Sequence, residues 1–103
     1  MAVVSSRNGV PIRLTEERWQ HIVYRHRVMD GLHMRVLETV AEPDMIQQGD
    51  LGELLAVRFY PETPVSSKFL VAVYREVSPE GGFVLTAYLT SRLSARGPVI
   101  WKR

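Results

Sequence analysis

The sequence predicts an α+β domain, two N-terminal helices packed on one face of a four- to five-stranded antiparallel sheet. Three observations carry that expectation. Apolar residues recur at helical spacing only up to about Glu42. Beyond Pro43 the pattern changes to period two, rich in Val, Tyr, Phe and Thr. Pro79-Glu-Gly-Gly82 then separates two such runs as a hairpin turn would. Helices grouped at one end and strands at the other favour an antiparallel sheet over an alternating parallel one.

The elements follow in chain order βααβββββ. Ser5 to Gly9 is polar and reads as a frayed lead-in. Val10 to Leu14 is a short edge strand, because Pro11 has no N–H for a ladder. Thr15 caps the first helix, and Glu16 and Glu17 suit the positive end of its dipole. Trp19, Ile22, Val23 and His26 share one face. Arg18, His21 and Arg25 lie on its flank. Gly31 interrupts, Asp30 offers a new cap, and a second helix runs to about Glu42 with Leu32, Val36, Leu37 and Val40 as its buried stripe. Strands are expected at Met45–Gln48, Leu54–Tyr60, Phe69–Val77 and Phe83–Thr90, with a proline-bearing loop over Pro61–Ser67 and a final short strand or a tail over Pro98–Lys102.

Alternation assigns faces to the strands. The apolar sets Leu55, Val57, Phe59 and Phe83, Leu85, Ala87, Leu89 are expected to face the helices. Arg58, Tyr60, Thr86, Tyr88 and Thr90 would then line an open face, with Lys68 and Tyr74 joining them in a compatible register.

The chain has 103 residues, enough for one domain over residues 1–103 with its core at about 10–92. It has no cysteine, which excludes disulfides and thiolate metal sites. No apolar run approaches the roughly 20 residues of a membrane span. The N-terminus lacks the charged start and apolar stretch of a signal peptide, so the expected location is cytoplasmic. Net charge is +2. All basic residues except Lys68 and Lys102 are arginine, whose guanidinium suits bidentate phosphate contacts. From Val77 onward Glu80 is the sole acid, against Arg92, Arg96, Lys102 and Arg103.

P-loop, dinucleotide-binding, HExxH and nucleophile-elbow motifs are all absent from the sequence. His21 and His26 are five positions apart, not the four that would put two ligands on one helical face. No metal site or cofactor is expected. His26 admits two readings: a hydrogen-bonded core histidine at a helix end, or a general base or acid at the rim of the sheet. The tyrosines, hydroxyls and cations of the open face also admit two. They are an ordinary solvated sheet surface, or the groups that metal-free RNA cleavage needs. That reaction deprotonates a 2′-OH, protonates the leaving 5′-oxygen and stabilises phosphate charge.

The run Leu14-Thr-Glu-Glu-Arg-Trp-Gln-His-Ile-Val-Tyr-Arg-His26 resembles the W-x-H-I-x-x-R-H opening of small phage and bacterial domains in the barnase–EndoU–colicin–RelE nuclease-like superfamily. Thr39-Val-Ala-Glu-Pro-Asp44, Leu70-Val-Ala-Val-Tyr-Arg-Glu76 and Val84-Leu-Thr-Ala-Tyr-Leu-Thr90 are similar to its later segments. The resemblance covers about Val10 to Arg92, and BrnT-type toxins share the layout. It implies a RelE- or barnase-like fold and metal-independent RNA cleavage, with RNA as substrate and an antitoxin or immunity protein as partner. Carried onto this chain it assigns catalysis to His26 or His21, to Arg58 or Lys68, and to Tyr88, Thr90 or Ser91. Arg25, Tyr74, Ser91 and Arg92 are the accompanying RNA-binding candidates. Relatives commonly continue R-H-P-E, whereas Arg27 and Val28 follow His26 here. The alternative is a non-catalytic RNA- or protein-binding module.

Overall fold

The computed structural model describes residues 1–94 and 97–103; Arg96, one of the C-terminal basic residues, lies outside them. The elements are β1 (Ala2–Ser5), β2 (Pro11–Leu14), α1 (Glu16–Arg25), a 3-10 turn (Arg27–Met29), α2 (His33–Ala41), β3 (Met45–Gln48), β4 (Leu54–Tyr60), β5 (Lys68–Ser78), β6 (Gly81–Thr90) and β7 (Val99–Lys102). The strands form a seven-stranded sheet in the order β1-β2-β6-β5-β4-β3-β7. It is a mixed sheet, because β2 runs parallel to β6. The expected four- to five-stranded antiparallel sheet is therefore corrected.

Two features account for the difference. The N-terminal segment is a hairpin, not a frayed lead-in: β1 pairs antiparallel with β2. Its turn closes through Gly9 N–H to Ser6 O (2.9 Å), and Gly9 takes φ +81°, which glycine adopts without strain. Asn8-Gly9 is a common hairpin signal. The second feature is the long return from β2 through both helices and β3–β5 to β6. Gly82 permits the contact of β2 with β6, since a Cβ there would lie 2.1 Å from Arg75 O and 2.9 Å from Ile12 Cδ1.

Local signals place the helices as expected. Thr15 Oγ1 accepts the Arg18 N–H at 3.1 Å and caps α1, which buries Trp19 and Ile22. The stripe Leu32, Val36, Leu37 and Val40 is buried. Asp30 does not cap α2, whose N-cap position is Leu32 without a side-chain bond.

The face assignment of β4 is reversed. Ala56 and Tyr60 lie in the core with Trp19, Ile22, Val36 and Val40, while Leu55, Val57 and Phe59 project from the other face. Register supplies the reason. Ala56, Ala72 and Ala87 are aligned across β4, β5 and β6, and each has 0% exposure. This row of methyl groups gives the helices room to approach the sheet, which the bulkier alternate row would deny. In β6 a bulge at Leu85 shifts the register: Val73 pairs with Thr86 but Tyr74 with Val84. Val84 thereby joins Ala87 in the core, and Thr86, Tyr88 and Thr90 remain on the opposite face.

That opposite face is not open throughout. Val57 and Val71 are buried there. Gln47 Nε2 donates to Ser94 O at 2.9 Å, so the chain leaving β6 lies over this side of the sheet. No described helix is long and apolar enough to cross a membrane.

Candidate active site

β2 pairs with β6 only at Ile12–Gly82 and Arg13–Phe83. Beyond Phe83, α1 and the 3-10 turn pack beside β6 instead. The end of α1 thus sits at the flank of a strand whose side chains alternate between two faces, and a cleft of about 480 Å³ forms there. It is lined by Arg18, His21, Arg25 and His26 from the helical side and by Leu85, Thr86 and Tyr88 from β6.

Helix geometry aligns the cationic wall. Arg18, His21 and Arg25 stand at i, i+3 and i+7, one stripe of α1, and all three are exposed. Neither arginine forms an ion pair with a described residue. His26 closes α1 as its C-cap, donating its N–H to Ile22 O at 2.8 Å, and accepts Met29 N–H at 2.9 Å to start the 3-10 turn. Its backbone is held on both sides while its half-buried imidazole reaches the Tyr88 ring, 6.0 Å between centroids at 41°. Burial pushes the Tyr88 phenol above its ordinary pKa, so it remains a proton donor at neutral pH. The described lining residues include no carboxylate.

This cleft gathers His21, Arg25, His26 and Tyr88 out of the sequence-derived candidates. Arg18 and Thr86 join them; the helical spacing of residues 18, 21 and 25 was the signal for Arg18. His26 lines the cleft from the end of α1. It sits at the sheet edge, where the helix face and the opposite sheet face meet.

The other candidates are elsewhere. Arg58 faces the helices, donates to Glu42 O at 2.7 Å, approaches Glu38 at 3.7 Å and stacks over Tyr60 at 5.7 Å. It ties β4 to the end of α2. Tyr60, which hydrogen-bonds Glu38 at 2.6 Å, has its pKa pushed up to about 12 by burial and by that carboxylate. Tyr74 is fully buried in the core, and its hydroxyl has no hydrogen-bond partner among the described residues. Lys68 Nζ donates to Ser91 Oγ at 2.6 Å at the Thr90 end of the sheet. Thr90 Oγ1 is engaged locally, donating to Arg92 O at 2.7 Å. Thr90 shares the Tyr88 face but does not line the cleft.

A larger depression of about 640 Å³ on the other flank of α1 is lined by Trp19, Val23, Tyr24 and Arg27 with Glu16, Gln20 and Asp30. It has mixed charge and no imidazole among its described residues, so it lacks the acid–base groups of the smaller cleft. Among the described residues no group of three His, Cys, Asp or Glu side chains is arranged to hold a metal ion. No protein-family model, curated protein or solved structure matches the chain.

Proposed function

We propose that this protein binds single-stranded RNA through the α1–β6 cleft and cleaves it without a metal ion. The observation that supports this most directly is one cleft whose described residues bring together two imidazoles, two guanidiniums free of ion pairs and a phenol, with no carboxylate among them. In the proposed reaction His26 takes the proton from a 2′-OH, and the 2′-oxygen attacks phosphorus to give a 2′,3′-cyclic phosphate. The leaving 5′-oxygen takes a proton from His21. Arg18 and Arg25 stabilise the charge that develops on the phosphate, and the protonated Tyr88 donates to a non-bridging oxygen. The resemblance of the Trp19–His26 run to nuclease-like domains points the same way. An antitoxin or immunity partner would belong to this reading and would cover the cationic stripe.

One observation favours the alternative of an RNA-binding module. The imidazoles of His21 and His26 make no hydrogen bond to a described residue, so no described residue fixes their tautomers. Labelled tRNA and mRNA incubated with the protein in excess EDTA decide between the two. Cleavage to cyclic-phosphate ends, lost in His26→Ala, is the expected result. Salt-sensitive binding with intact RNA would assign the binding role instead.

A further inference from the structure

Tyr88 is shared by two hollows. On its far side, on the sheet face opposite the helices, lies a recess of about 220 Å³. Leu55 and the Tyr88 ring supply apolar walls, and Gln47, Asp50 and Glu53 supply polar ones. Two of these polar groups are committed to the fold. Gln47 donates to Ser94 O, and Glu53 Oε1 accepts Leu51 N–H at 2.8 Å. The side chain of Asp50 is exposed and makes no hydrogen bond to a described residue.

The two hollows differ in charge. Arginines line the cleft, and carboxylates line the recess. A nucleotide lying across Tyr88 is oriented by that contrast. Its phosphate is drawn to Arg18 and Arg25 and repelled by Asp50 and Glu53. Its base has apolar faces that suit Leu55 and a tyrosine ring, and a polar edge that meets Asp50.

We propose that the recess beyond Tyr88 seats a nucleobase bearing an exocyclic amino group, adjoining a phosphate held in the cleft. The proposal rests on the RNA reading of the cleft. Asp50 accepts from an amino group but repels the carbonyl that uracil presents at the same position. Cytosine and uracil differ at that position, amino against carbonyl, and so form the sharpest pair of probes.

The test is an NMR titration of the full chain with inorganic phosphate, cytidine 3′-monophosphate and uridine 3′-monophosphate. All three are expected to shift the Arg18, Arg25 and Tyr88 signals. The cytidine nucleotide alone should also shift the Gln48–Glu53 amides, and should bind about tenfold more tightly than the uridine nucleotide. Asp50→Asn should abolish that preference and leave phosphate binding unchanged. Equal binding of the two nucleotides, with Gln48–Glu53 unshifted, would overturn the proposal while phosphate shifts in the cleft upheld the RNA reading. Cytidine preference at Gln48–Glu53 without phosphate shifts in the cleft would uphold the base site and remove the phosphate site. Silence in both regions would remove both.

Discussion

The imidazole of His26 and the ring of Tyr88 lie 6.0 Å apart, one at the end of a helix and the other on the sheet face turned away from the helices. They meet because β2 leaves β6 after Phe83, so the C-terminal half of β6 has a flank that α1 and the 3-10 turn occupy. The Leu85 bulge keeps Tyr88 turned toward this contact while Ala87 and Leu89 stay beneath the helices.

His26→Ala is expected to lower RNA cleavage by about 10²-fold or more, the usual contribution of a positioned acid or base. Tyr88→Phe keeps the ring contact and removes the phenol, so it should lower kcat with little change in KM. Single-turnover cleavage of a labelled oligonucleotide checks both. Unchanged rates in the two variants would remove the assignment.

Arg18→Ala and Arg25→Ala should each weaken binding of single-stranded RNA across all sequences. Each should also flatten the dependence of log K on log salt by about 0.7. Filter binding from low to moderate salt measures the slopes. A variant with reduced affinity but the parent slope would show that its arginine does not meet a phosphate.

Arg58→Ala should leave RNA binding and cleavage intact, because the side chain faces the helices. It removes the hydrogen bond to Glu42 O and the stacking on Tyr60. The expected cost is about 1–2 kcal/mol, read as a lower midpoint in urea unfolding. Wild-type stability with impaired cleavage would return Arg58 to the site.

Tyr74→Phe should be neutral or stabilising by up to about 1 kcal/mol, since a buried hydroxyl without a described partner carries a desolvation cost. A clear loss of stability would indicate that the hydroxyl is paired in solution.

Alkaline pH should destabilise the protein. Tyr60 and Tyr74 both have pKa values raised by burial, Tyr60 to about 12. Above the ordinary phenol value near 10 the unfolded chain releases protons that the folded chain retains, so unfolding becomes easier as pH rises. For Tyr60 the loss spans pH about 10 to 12. Urea midpoints measured from pH 8 to 11.5 should fall, and the fall should be shallower in Tyr74→Phe. A flat profile would contradict the buried-phenol account.

The helices and most of the strands were legible in the sequence. Thr15, Glu16 and Glu17 start α1, and the spacing of Leu32, Val36, Leu37 and Val40 defines the buried stripe of α2. Pro43 ends the helical half of the chain, and the Gly-containing turn before Phe83 separates the two longest strands. These signals act over a few residues, so they are written locally. The cationic stripe of Arg18, His21 and Arg25 was legible for the same reason. Tertiary structure decided what lies across the sheet. Both rows of β4 are apolar enough to be buried, and only pairing with β5 and β6 shows that the alanine row faces the helices. The parallel contact of β2 with β6 joins residues far apart in the chain. The Leu85 bulge is visible only against its partner strand. Alternation fixes which residues share a face, but packing against distant elements chooses the face, and that choice moved Arg58 and Tyr74 inward and left Tyr88 beside His26.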